Sequence, residues 1–249
     1  MMYGLLKYVF LGPLLRLLYR PRAKGLENIP AEGPVILAIN HQSFMDSMFA
    51  PLLVRRQVVF LGKADYFSSP KTAWFFRAAG VIPLKREGGS ASEAAIQAGV
   101  RALQAGQVVG IYPEGTRSPD GRLYRGKTGV ARMALLARCP VIPVALFGTR
   151  DLQPIGRKMP KLSGRIEVHY GKPLSFERFY GQESDRFVLR SVTDEVMYEI
   201  MMLSGQEYVD EYAAKVKAQE SGRPDVRGSQ AAPSGAGERA PEREEAAKP

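Results

Sequence analysis

An α/β fold, with a mostly parallel or mixed central sheet flanked by helices, is predicted by three features of this 249-residue chain. Short apolar runs recur between Pro34 and Tyr170, helical patterns with start signals lie between them, and several runs lack the polar alternation of a strand with one wet face. Alternating β and α elements bury a sheet between helices and place ligands at the carboxyl ends of the strands.

The first segment, residues 1–24, reads as an interfacial membrane anchor. Lys7 and Arg16 bound an apolar run of only eight residues, Tyr8 to Leu15, and Pro13 would kink a helix through it. A spanning helix needs about 20 predominantly apolar residues, so this is a poor one. No small-residue cleavage pattern follows, which argues against a signal peptide. Leucines and aromatics mixed with Arg16, Arg20, Arg22 and Lys24 suit an amphipathic helix whose apolar face sinks into the headgroup boundary while its cations meet anionic lipid. A first helix packed on the domain is the alternative.

One domain is expected over 25–220. Its strands are VILAIN (35–40), VVFLG (58–62), VIPL (81–84), VVGIY (108–112), VIPVALF (141–147) and RIEVHY (165–170). Ser69–Pro70 opens one helix. Ser90 with Glu93 forms a capping box for another, with Ile96, Val100 and Leu103 on one face and Gly106 as its stop. Residues 185–203 carry Leu189, Val192, Val196, Ile200 and Leu203 at helical spacing, and Ser204 with Glu207 is read as the cap of a further helix bearing Tyr208, Tyr212 and Val216. From Ser221 to Pro249 large apolar residues almost vanish, and this tail is expected to be disordered.

The net charge of +10 calls for an anionic partner: nucleic acid, a bilayer surface or a phosphorylated substrate. No nucleic-acid motif is present and the cations gather at the apolar anchor and at strand ends, so no nucleic acid is expected. The single cysteine, Cys139, excludes an intrachain disulfide and a multi-cysteine metal site, and two histidines, His41 and His169, argue against a histidine-rich metal centre, so no metal is expected; Cys139 fits a buried small hydrophobe. His169 lacks a well-placed acidic partner and reads as structural.

Chemistry concentrates in NHQSFMD, residues 40–46, just past the first strand run. Five residues apart on one helix, His41 and Asp46 would diverge by about 140°. With His41 in the turn before the helix and Asp46 in its first turn, the carboxylate can accept a hydrogen bond from one ring nitrogen and leave the other as a general base. Ser43 reads as a capping group, since no G-x-S-x-G elbow exists in the chain. YPEGTRS (112–118) again follows a strand and presents Glu114, Gly115, Thr116 and Arg117, the last a bidentate phosphate ligand by type. GVIPLKR (80–86) brings Lys85 and Arg86 to another strand end, and Lys63 lies beyond a third. Trp74, Phe75 and Phe76 fit an acyl tunnel, a lipid contact or ordinary core.

Taken in order, NHQSFMD, GVIPLKR, YPEGTRS and VIPVAL resemble the four sequence blocks of the lysophosphatidic acid and glycerol-3-phosphate acyltransferases, over Asn40 to Val144. Pro83, Lys85 and Tyr112 depart from the family's commoner residues. The resemblance implies that His41 deprotonates an acceptor hydroxyl that attacks the thioester of acyl-coenzyme A or acyl-carrier protein, with Asp46 orienting it. It further implies that Arg117 and Arg86, assisted by Lys63, hold the phosphate of a lysophospholipid, that Glu114, Gly115 and Thr116 shape that site, and that Pro143 shapes the acyl pocket. No cofactor is implied, and the expected location is the cytoplasmic face of the cell membrane, peripheral or monotopic. The competing readings are a different acceptor (glycerol 3-phosphate, another lysophospholipid or a glycolipid) and a catalytically silent lipid-binding protein. Oxyanion donors are guessed to come from the turn at His41–Ser43.

Overall fold

A computed structural model of the chain describes residues 2–63, 67–84 and 91–220. All six apolar runs form strands: β2 (Val35–Ile39), β3 (Val58–Lys63), β4 (Val81–Leu84), β5 (Val108–Ile111), β7 (Val141–Phe147) and β8 (Glu167–Tyr170). A short β1 (Arg22–Lys24) joins them in one sheet of order β1-β8-β7-β2-β5-β3-β4. From β7 to β4 all neighbours are parallel; β8 is antiparallel to β7 and carries β1 parallel to itself. The mixed α/β sheet of the sequence reading is the fold observed.

The pattern of β2 explains the layers. All five of its side chains are buried, Ile36 and Ala38 on one face and Val35, Leu37 and Ile39 on the other. Helices α5 (Ala91–Gln104), α6 (Gly129–Ala137) and α8 (Arg186–Ser204) cover the first face. The second is covered by α2 (Leu11–Tyr19) and α3 (Asp46–Leu53). Each fully buried leucine, isoleucine or valine stabilises by roughly 1.5–3 kcal/mol, which is why a strand apolar on both sides settles at the centre of the sheet. Helix α8 begins where Asp185 Oδ1 accepts the Phe187 and Val188 N–H groups at 2.7 and 3.2 Å, and ends at Gly205 with φ 67°.

Two local expectations change. Ser204 ends α8, and Tyr208–Val209 forms a strand, β9, paired with β6 (Leu123–Tyr124); the last described helix, α9, runs only over Ala213–Glu220. The Glu207 and Val209 carbonyls accept the Leu123 and Arg125 N–H groups, so tertiary pairing overrides a local capping signal. The capping box of α5 includes Ser90, which lies outside the described residues; Glu93 accepts Arg132 Nη1 at 2.7 Å. The stretch 221–249 also lies outside them.

Arg16, among the amino-terminal cations, is the second. Helix α1 (Met2–Leu5) passes through a π-turn over Leu6–Phe10 into α2. Lys7 turns inward to donate to the Val54 carbonyl, and Arg16 Nη2 donates to the Leu52 carbonyl at 3.0 Å. Both meet the carboxyl end of α3, where carbonyls lack helical partners and the helix dipole is negative. Burial pushes the Lys7 ammonium down to about 8. Arg16 was expected to face lipid and does not. With Leu15 and Tyr19 in the core, Leu5, Tyr8, Val9, Phe10, Leu14 and Leu17 are left exposed. No helix among the described residues is long and apolar enough to cross a membrane.

The chain leaves β2 for β3 and β4, returns to β5 beside β2, then crosses to β7 on the other side. The carboxyl ends of β2 and β5 therefore flank the point where strand order reverses, the place where such sheets open a crevice.

Candidate active site

Beyond β2 the chain turns at Asn40–Met45 and enters α3 at Asp46. Asn40 is buried and mimics a strand residue, accepting the Leu146 N–H at 2.8 Å and donating to Gln206 Oε1 at 2.7 Å. That fixes where His41 leaves the sheet. His41 Nδ1 lies 2.9 Å from Asp46 Oδ2, and the same oxygen accepts the backbone N–H groups of Gln42 at 2.7 Å and Ser43 at 2.8 Å. Asp46 is fully buried, so three donors converge on one oxygen of a carboxylate that water does not reach. The geometry requires Nδ1–H, which leaves the lone pair on Nε2; that atom has no hydrogen-bond partner among the described residues.

Two further contacts hold the ring. Tyr112 stacks on His41 with centroids 3.7 Å apart and planes 14° from parallel, and its hydroxyl meets Ser47 Oγ at 2.7 Å. Phe60 stacks behind Tyr112 at 5.7 Å, in space that only glycine at 110 leaves open, since a Cβ there would lie 2.5 Å from the Phe60 ring. Glu114, buried beside β5, accepts the His41 N–H on Oε1 and the Tyr124 N–H on Oε2, both at 3.0 Å. Burial raises its carboxyl to about 7 against these two bonds, which act to lower it. The Ser118 N–H donates to the His41 carbonyl at 2.7 Å, so both sides of residue 41 are tied to the 112–118 turn.

These bonds correct the guess about oxyanion donors. The N–H groups of His41, Gln42 and Ser43 are committed to Glu114 and Asp46. Ser43 is also engaged, its buried hydroxyl donating to the Gln153 carbonyl at 2.8 Å and accepting the Met45 N–H at 3.2 Å. It is a structural group, as its turn position suggested.

Of the predicted cations, Arg117 lies in the turn beside His41, together with Gly115 (φ 73°) and Thr116. Two lysines that sequence reasoning missed join it. Lys217, from α9, donates to Thr116 Oγ1 at 3.1 Å and to the Arg117 carbonyl. Desolvation and the neighbouring Arg117 charge lower its pKa. The Lys127 chain runs past Gly115, within 3.2 Å of where a Cβ would stand. No local pattern marks Lys217, a hundred residues from its partners. Lys63 ends β3, with β5 between that strand and β2, and Arg86 with Lys85 lies outside the described residues.

Pro143 is not at the crevice. It is buried within β7, opposite Ala38, with its ring packed against Gly171. Its carbonyl accepts the Gly171 N–H at 2.8 Å. It does not line the apolar cleft formed by Tyr3, Leu6 and Leu15 of the amino-terminal segment, Met48 and Leu52 of α3, and Phe75. Ser47, next to Asp46, also lines that cleft. Phe75 joins it, Phe76 packs edge-on against Phe75 at 5.4 Å, and Trp74 is exposed. Cys139 is buried, its thiol pushed up to about 12.

Comparison with known proteins agrees with this arrangement. The acyltransferase family model matches residues 20–147, just over half of the chain. The chain is 33% identical over 168 residues to the chloroplastic 1-acyl-sn-glycerol-3-phosphate acyltransferase BAT2 of Brassica napus, covering 67% of this chain and 47% of that protein. It is 27% identical over 150 residues to the 1-acyl-sn-glycerol-3-phosphate acyltransferase of Bacillus subtilis, covering 59% and 70%. Among solved structures it superposes on the 1-acyl-sn-glycerophosphate acyltransferase PlsC of Thermotoga maritima with a TM-score of 0.63, at 28% identity and over 77% of this chain and 76% of that one. It spans about half the length of the plant relatives. The matched region runs from Arg20 to the end of β7 and encloses the paired His41 and Asp46 and the 112–118 turn: the chain belongs to the acyltransferase family.

Proposed function

We propose that the chain is an O-acyltransferase that moves an acyl group from acyl-coenzyme A or acyl-carrier protein to the free hydroxyl of a 1-acyl-glycerol 3-phosphate, giving phosphatidic acid. The observation that carries the proposal is the 2.9 Å contact of His41 Nδ1 with the buried Asp46, which leaves Nε2 without a hydrogen-bond partner among the described residues, in a turn that the Ser118 N–H ties to the 112–118 segment carrying Arg117. His41 Nε2 takes the acceptor hydroxyl's proton as its oxygen attacks the thioester carbonyl. The tetrahedral intermediate collapses by breaking the C–S bond, and the imidazolium returns the proton to the departing thiolate. Asp46 stabilises the imidazolium and stays ionised throughout. The acceptor supplies the nucleophile, so the engaged Ser43 has no chemical role.

Arg117 holds the acceptor's phosphate, with Lys217 and Lys127 adding charge at the same turn. The cleft between α3 and the amino-terminal helices suits an acyl chain, being apolar and reaching Ser47, one residue from Asp46. No cofactor enters this scheme, because the thioester already stores the driving force. The outward apolar side of α1 and α2 supports peripheral attachment to a membrane surface, which the proposal takes to be the cytoplasmic face of the cell membrane.

Purified chain with labelled acyl-coenzyme A and a panel of lysophospholipids and glycerol 3-phosphate tests the reading. Turnover with 1-acyl-glycerol 3-phosphate that vanishes in His41→Ala is expected. Normal turnover in that variant, or specific lipid binding without turnover in the native chain, overturns it.

A further inference from the structure

Residues 153–165, between α7 (Thr149–Leu152) and β8, take no part in the chemistry, yet their surface is unusual. The segment QPIGRKMPKLSGR exposes Ile155 (42%), Met159 (73%) and Leu162 (79%), so core packing does not account for its large apolar residues. Interleaved with them are Arg157, Lys158, Lys161 and Arg165, all exposed, with no acidic residue in the segment and no ion pair to any of the four among the described residues. A water-facing loop gains nothing from three bare hydrophobes. At an anionic bilayer the same pattern is favourable twice over: apolar side chains leave water below the headgroups while cations meet lipid phosphates.

The loop is also shaped and placed. Gln153 Nε2 donates to the Arg157 and Lys158 carbonyls at 3.2 and 3.0 Å, and the Lys161 N–H donates to the Leu152 carbonyl at 2.9 Å. Tyr19 Oη donates to the Lys161 carbonyl at 2.8 Å, joining the loop to the end of α2, where Leu17 is 72% exposed. The Gln153 carbonyl accepts the Ser43 hydroxyl, so the segment begins one hydrogen bond from the His41 turn.

We infer that loop 153–165 is a second membrane-contacting element, docking on anionic phospholipid beside the amino-terminal helices and holding the His41 turn at the surface from which a lipid acceptor is taken. The inference rests on the membrane-surface function proposed above and adds the element that fixes orientation: a helix pair alone leaves the body free to swing, whereas two contacts joined through Tyr19 and Ser43 do not.

The test uses the full chain with vesicles of phosphatidylcholine alone or mixed with phosphatidylglycerol. Met159→Glu with Leu162→Glu should weaken binding to the anionic vesicles about tenfold or more, in a salt-dependent way. A nitroxide on Leu162→Cys should become lipid-immersed when vesicles are added. Turnover of a short-chain acceptor kept below its micelle concentration should stay unchanged in the double variant. Undiminished vesicle binding, a label that stays in water, or loss of self-association in place of vesicle binding overturns the inference. Immersion of the label in a chain that turns over no acceptor sustains the loop contact and sinks the enzymatic reading. Normal short-chain turnover with a water-exposed label does the reverse.

Discussion

The chain has two histidines, each beside a carboxylate, in regions built very differently. At the end of β2, His41 faces an aspartate that is fully buried, bonded by two backbone N–H groups and unable to turn away. On β8, across β7 from β2, His169 Nε2 meets Glu167 Oε2 at 3.3 Å, but Glu167 is 29% exposed and His169 leans on Phe147. Proximity of acid and imidazole is common to both. What separates them is preorganisation: a carboxylate already oriented and shielded from water supports a developing imidazolium without reorganising, whereas a partly solvated one adds little.

That contrast can be broken by mutation. His41→Ala should lower kcat by on the order of 10⁴ while His169→Ala stays within about twofold, measured as acyl transfer by both proteins. Asp46→Asn should cost about 10³ because the amide no longer stabilises the imidazolium, and Glu167→Gln should leave the rate near native. Equal effects at the two sites would abolish the distinction.

Glu114 sharpens it through pH. Its carboxyl is raised from 4.5 to about 7 by burial, so the stability that it contributes is complete below about 4.5 and is lost as pH rises through 7. The lost contribution is on the order of 3 kcal/mol. Thermal melts of the native chain should therefore decline between pH 5 and 8 relative to Glu114→Gln, whose amide does not titrate. Parallel melting curves would remove Glu114 as the buried acid that ties the two turns together.

Smaller effects belong to the cationic rim. Arg117→Ala should raise the Michaelis constant for the acceptor about tenfold with kcat largely kept, and Lys217→Ala should raise it a few-fold, as expected for lost phosphate contacts. A fall in kcat at constant Michaelis constant would place both residues with the chemistry instead.

Much of this molecule is legible locally. Strands such as VILAI betray themselves by being apolar on both faces, and the five-residue interval between His41 and Asp46 works because a turn precedes the helix. The signals that failed were local ones overruled at a distance. Ser204–Glu207 reads as a cap, but pairing of Glu207–Val209 with residues 123–125 satisfies more backbone groups. Arg16 reads as a lipid-facing cation, but the carboxyl end of α3 offers it, and Lys7 beside it, carbonyls. The pocket role of Pro143 comes from the family resemblance and not from a local signal, and the residue lies inside the sheet.

Periodicity and turn chemistry, which depend only on neighbours in the chain, decided the order of the elements, the two-sided sheet and the juxtaposition of an imidazole with its acid. Packing alone decided the rest: that Tyr112 would lie flat on His41, that Glu114 would hold its backbone, that Lys217 would reach the Thr116 turn, and that Lys7 and Arg16 would turn inward. Such contacts arise where burial leaves a polar group in need of a partner, and that need exists only once the whole chain has closed around it.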